Sequence, residues 1–169
     1  MLIRSCRQTI PFLILLVCQT SLFADDKSND DKKFKISKTE QSIIDYVNAS
    51  RKAKKLPPLK PNPTLMKVAR GHSANMAKQQ KMKHVLDGKR SHDRVKASGY
   101  RYSFTGENIA AGDPRWPVKA VHKMWMDSPP HRQNILRSQF TEIGVGVGKS
   151  KEGEMFYTQV FARPKKRRP

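Results

Sequence analysis

The chain has 169 residues and carries 34 Lys and Arg against 14 Asp and Glu, a formal net charge of +20. That length leaves room for one domain with extensions, and so basic a balance favours anionic partners over cationic ones. Both cysteines, Cys6 and Cys18, lie in the first stretch, so no disulfide can staple the remainder and its core must hold it.

In "MLIRSCRQTIPFLILLVCQTSLFA", Arg4 and Arg7 precede an apolar run from Ile10 to Cys18. Small and polar residues follow, then Ala24. This is the layout of a secretory signal peptide over residues 1–24, and the run is too short for a membrane span. Removing it leaves 145 residues with a formal charge of +18, exported to the periplasm or the outside. "DDKSNDDKKFKISK", 25–38, is charged and without period, and reads as a disordered linker. Residues 39–164 read as the folded domain, and 165–169 close the basic tail "RPKKRRP".

Within the domain, "SKTEQSIIDYVNASRKAKKL" sets Ile43, Ile44, Val47 and Leu56 on helical spacing, with Ser37 and Glu40 in a capping-box pattern. "LPPLKPNPTL" is proline-broken coil. Asn62 before Pro63 then starts a second helix that carries Leu65, Ala69, His72, Ser73 and Met76 along one side. His72 is expected at the edge of the core. "SHDRVKASGY" reads as a short helix, capped by Ser91 and stopped by Gly99. "PVKAVHKMW" is another helix, with Val118, Val121 and Trp125 on one face and His122 beside them. "EIGVGVG" and "MFYTQVFA" read as strands joined by the turn "KSKEGE". Trp116 and Trp125 are expected to pack. Helices first and a hairpin last predict an α+β domain.

"WMDSPPHRQNIL" places His131 behind a Pro129-Pro130 pair. Such a pair ends the preceding helix near Asp127 or Ser128 and opens a new segment at the histidine. No G-x-S-x-G, H-E-x-x-H or phosphate-cradling glycine loop is present, and no cysteine remains after Ala24. Polar residues at breaks are what is left: His84 in "KMKHV", Glu107 in "TGENIA", and His131. Two imidazoles and a carboxylate match a catalytic zinc ligand set, and equally an acid-base trio without metal. Spacing alone gives no reason for them to converge.

Four stretches, "GHSANMAKQQKMKH", "TGENIAAG", "MWMDSPPHRQNIL" and "EIGVGVG…FYTQVFARP", together resemble the CAP superfamily of cysteine-rich secretory, antigen 5 and pathogenesis-related proteins, in its short bacterial branch. The resemblance runs from about position 40 to 164. It implies a three-layer α-β-α sandwich with a central antiparallel sheet, and a cleft where two histidines and two acids meet. Carried over, the histidines are His84 and His131, and the first acid is Glu107. The second acid's position holds Ser128, with Asp127 adjacent, so a tetrad is expected only if Asp127 swings in.

Two functions follow as expectations. One is an exported binding module for a lipid or an anionic cell-envelope polymer, with a cleft able to hold a divalent cation such as zinc on His84 and His131; nucleic acid is a poorer fit behind a signal peptide. The other is a metal-assisted, peptidase-like hydrolase using His84, Glu107 and His131. Tyr157 and Gln159, on the last strand, are expected to border the cleft.

Overall fold

A computed structural model describes residues 34–166; the signal-peptide reading, residues 25–33 of the linker and the last three residues of the tail lie outside them. Helix α1 spans Lys38–Ala53 and β1 is the two-residue strand Lys60–Pro61. Helix α2 covers Pro63–Gln79, α3 Ser91–Ala97, and β2 Tyr102–Gly112. Helices α4 (Val118–Asp127) and α5 (Pro129–Leu136) precede β3 (Glu142–Lys149) and β4 (Met155–Pro164). The sheet order is β1-β3-β4-β2. Both long pairings are antiparallel, while β1 joins β3 in parallel through Lys60 and Pro61.

The helix ends follow local chemistry. Ser37 and Glu40 form the reciprocal capping box at α1. The Asn62 side chain accepts from the Thr64 and Leu65 amides with Pro63 in the first turn of α2. The cap of α3 falls at Arg90, whose N–H donates to Asp93, one residue earlier than Ser91. The segment before α1 is held from residue 34 onward. The Phe34 ring lies under the Arg70 guanidinium, 4.6 Å from its centre, and Ile36 packs on the core. Arg70 in turn makes a two-pronged 2.7 Å ion pair with Glu40.

Strand periodicity divides the core into two layers. Ile143, Val145, Tyr157 and Phe161 point to α1, α4 and α5, where they meet Ile43, Ile44, Val47, Val121, Trp125 and Ile135. Phe156, Val160 and Ala162 point to α2 and α3, against Leu65, Ala69, Met76 and Val95. On this second side β3 offers only Gly144, Gly146 and Gly148. A Cβ on any of them would run into the α2 backbone at Leu65, Ala69 or Ser73. The alternating glycines thus let α2 lie directly on the sheet, main chain to main chain.

Arg51 has no exposed surface and, among the described residues, no carboxylate partner. Its guanidinium donates instead to the carbonyls of Pro57 (2.8 Å), Ile135 and Arg137 (2.9 Å each) and Phe140 (3.3 Å). Two helix C-termini, those of α1 and α5, meet here, and their converging dipoles supply the negative potential an acid would otherwise give.

Candidate functional site

Glu107 lies near the middle of β2, not at a break. Its side chain points to the α2 side and is nearly dry, 3% exposed. Three basic side chains converge on it. His84 Nδ1 hydrogen-bonds Oε1 at 2.9 Å, Arg94 Nη2 donates to Oε2 at 2.6 Å, and His72 Nε2 sits 3.8 Å from Oε1. Burial pushes the Glu107 carboxyl up, but the His84 hydrogen bond and the Arg94 guanidinium outweigh it, so the group is held below the usual carboxylate range. It is an ionised, fully engaged acid.

The loop 80–90 brings His84 into place. Gln80 and Asp87 take the left-handed conformation (φ 51° and 52°), and Leu86 is buried as the loop's anchor. Asn75 and Gln79 of α2 donate to the Asp87 carboxylate at 2.8 and 3.0 Å. Arg94 completes the hold by donating to the carbonyls of Lys89 (2.7 Å) and His84 (3.2 Å). One guanidinium therefore fixes both the loop and the acid. With Nδ1 engaged by Glu107, His84 presents Nε2 outward, and half its side chain is exposed.

His131 comes from the opposite side. Helix α4 ends at Asp127, Pro129 and Pro130 form the first turn of α5, and His131 is its third residue. A buried amide network fastens this helix to β2. Asn108 donates to the His131 carbonyl and to Gln159 Oε1, both at 3.0 Å; Asn134 donates to Asn108 Oδ1 at 2.9 Å and to the Glu107 carbonyl at 3.2 Å. The His131 imidazole titrates below its ordinary value, first through burial and then through the neighbouring His84 charge.

The second acid does not arrive. Asp127 is largely exposed and pairs with Lys123 at 2.6 Å, one turn back on α4. Ser128 caps the start of α5 without a side-chain hydrogen bond to it. Among the described residues no three His, Cys, Asp or Glu side chains are grouped to hold a metal ion. Tyr157 is buried edge-on against Trp125, with ring centres 6.5 Å apart, and Gln159 takes part in the amide network.

Arg94 and His72 are the members that pattern reading passed over. Arg94 sits in a short surface helix where a cation is ordinary. His72 sits on a buried stripe, yet neither ring nitrogen finds a hydrogen-bond partner, and burial lowers its proton affinity. Only the fold puts Glu107 above it.

A second concavity lies between α1 and α4. It has a volume of about 460 Å³, with walls of Tyr46, Pro117, Ala120 and Met126, and Lys119 and Lys123 also line it. His122 forms part of its floor, stacked on Tyr46 and bonded through Nε2 to Ser50 Oγ at 2.8 Å.

A four-stranded sheet between helical layers, with His84, Arg94 and His72 gathered on the Glu107 carboxylate of its edge strand, has the layout of a CAP/SCP-type domain. Residues 44–161 match the cysteine-rich secretory protein family, CAP, and the chain belongs to it. The YkwD protein of Bacillus subtilis is 39% identical over 127 residues, 75% of this chain and 48% of that protein. An extracellular SCP-domain protein from Bacillus anthracis superposes with a TM-score of 0.64 at 34% identity, over 73% of this chain and 39% of its own. An outer surface protein of Borrelia burgdorferi shares the fold, with a TM-score of 0.70 at 21% identity over 75% and 93% of the two chains. The chain thus spans about half the length of the first relative or less of the second, and is a CAP domain of bacterial type. No described helix is long and apolar enough to cross a membrane.

Proposed function

We propose that this chain is an exported binding module whose α1–α4 groove takes the apolar part of a lipid-like amphiphile. The observation that carries the reading is the groove itself. Its volume of about 460 Å³ falls in the range of small-molecule sites, its walls are mainly apolar, and its few polar groups are the kind that orient a head group. Lys119 suits an anionic head, Lys123 being paired with Asp127, and Ser50 with His122 offers a hydrogen-bonding floor. The overall charge of +20 favours residence on an anionic envelope.

The His84–His131 cleft supports a divalent-cation reading in a weaker form. Glu107 fits the role of a carboxylate that orients a ligating imidazole, not that of a ligand, because Arg94 and His84 already occupy both its oxygens. Two imidazoles leave a tetrahedral zinc site short of protein donors. The same engagement disfavours Glu107 as the general base of a hydrolase, so binding is the better reading than catalysis.

The test is equilibrium binding of a single-chain fatty carboxylate to the wild type and to Ala120→Trp, which fills the groove. We expect one-to-one binding that is lost in the variant and changes little between about 0.05 and 0.5 M salt. Binding that survives the filling, or that collapses with salt, overturns the groove reading. A parallel zinc titration of His84→Ala and His131→Ala decides the cation reading separately, since loss in both variants is required of it.

A further inference from the structure

Trp116 was expected to pack, and it does so on one face only. It is 42% exposed, against 1% for Trp125. Nor is it loose, because its ring lies over Gly112 at the end of β2, where a Cβ would collide with three ring atoms. The glycine makes a seat that fixes a large aromatic ring at the surface. Met124, in the second half of α4, is 41% exposed. Together with Ala120, these two side chains and the stems of Lys123 and Asp127 line a shallow concavity of about 330 Å³. It shares Ala120 and Lys123 with the α1–α4 groove. Helix α4 therefore stands between two concavities, with its outer face apolar.

We propose that this outer face of α4, led by Trp116 and Met124, docks on an anionic lipid bilayer. Tryptophan is the side chain best suited to the boundary between head groups and acyl chains, where an apolar ring and an N–H donor are both satisfied. Lysines beside it can bury their stems and keep their ammonium groups at the head-group level. The patch is nearly neutral by itself: Arg115 pairs with Asp113 and Lys123 with Asp127, both at 2.6 Å, while Lys119 makes no ion pair among the described residues. Attraction comes from the whole molecule, and the apolar face sets its orientation. Charge also chooses among occupants. A second copy would bring another +20 against the first, whereas an anionic bilayer is complementary at long range. The inference goes beyond the groove reading, because it concerns a different face and needs no ligand in the groove.

The two tryptophans provide the assay. Trp125 is buried and donates to the Ile109 carbonyl at 3.0 Å, so only Trp116 can report a change of surroundings. The full chain is mixed with phosphatidylglycerol vesicles or phosphatidylcholine vesicles, with no free amphiphile present. We expect a blue shift of the emission and quenching by brominated acyl chains, on the anionic vesicles alone. Trp116→Phe should remove the signal, Met124→Glu should prevent it, and Trp116→Ser should weaken co-sedimentation about tenfold or more, given the apolar area withdrawn from the bilayer. Co-sedimentation with unchanged Trp116 emission means attachment through the leading apolar segment or the general basic surface, and overturns the proposal. So does absence of binding, and so does a concentration-dependent shift without vesicles, which would assign the face to a second copy. Vesicle docking without carboxylate binding, or the reverse, separates the fate of this proposal from that of the groove.

Discussion

Replacing Arg51 by methionine removes the guanidinium and keeps much of the side chain's apolar volume. Four carbonyls then lose a hydrogen bond, although that of Arg137 keeps the Phe140 N–H at 3.4 Å. Those of Ile135 and Phe140 are in fully buried contacts, and each unsatisfied buried acceptor costs about 1–3 kcal/mol. Those of Pro57 and Arg137 lie in part-buried contacts and can recover water. Against this, the variant no longer desolvates a cation, a gain that can be large when a charge is replaced by a well-packed apolar group. The missing counterion weakens that gain here, since two helix C-termini already favour positive charge at this spot. The two buried acceptors cost about 2–6 kcal/mol before that gain is subtracted, so the balance is a loss of about 3 kcal/mol, a substantial share of a typical domain's 5–15 kcal/mol. Urea unfolding followed by circular dichroism, with wild type alongside, measures it. Arg51→Lys should fall between the two, because three donors on one nitrogen cannot serve four acceptors spread over a planar fork. Since Ile135 and Arg137 end the helix that carries His131, amide exchange in α5 should accelerate in parallel. A methionine variant within about 1 kcal/mol of wild type would refute the reasoning and show that desolvation cancels all four bonds.

Gly146→Ala drives a methyl group into the Ala69 backbone; lifting a whole helix should cost at least the roughly 3 kcal/mol at the upper end of ordinary overpacking, read as a lowered thermal midpoint, and a neutral result would mean α2 can slide. Burial holds both His72 and His122 below their ordinary proton affinity. The unfolded chain therefore takes up protons first as pH falls below about 6.5, and stability declines from there down through the depressed folded values, by up to about 1.4 kcal/mol per pH unit for each histidine. His122→Phe should flatten the fall in urea midpoint between pH 7 and 5, and an unchanged slope would exclude its share. Arg94→Met should raise the Glu107 titration midpoint, followed by carboxyl carbon NMR, and speed amide exchange in the loop 80–90; an unmoved midpoint would show that Arg94 is not what keeps the acid ionised.

Periodicity and caps were legible where they act locally. Ser37, Asn62 and the Pro129-Pro130 pair set their helix ends as the sequence implies, because each acts within four residues. Strand β2 was missed, since "YSFTGENIAAG" is rich in small and polar residues whose burial depends on β4 and on the α5 amides. Glu107 therefore read as a break. The parallel contact of Lys60 and Pro61 with β3 escaped for a related reason: two residues carry no period. Of the cleft, His84, Glu107 and His131 came from motif likeness. Arg94 and Arg51 could not be singled out, because in a chain with 34 Lys and Arg a single engaged guanidinium has no signature in composition. Asp127 looked available because it neighbours the vacant position along the chain, but its place on α4 turns it to Lys123.

The three glycines of β3 also limit how such a domain can change. Where side chains separate two layers, exchanging one for another adjusts the gap by small steps. Here the gap between α2 and the sheet is set by main-chain atoms, and there is nothing left to trim. His72 rides on that helix and Glu107 on that sheet, so the distance between them is not a quantity that drift in the core can adjust. New chemistry in this cleft must instead enter through its two adjustable walls, the loop bearing His84 and the short helix bearing His131. The floor is set by main-chain contact, and only the rim can be altered one side chain at a time.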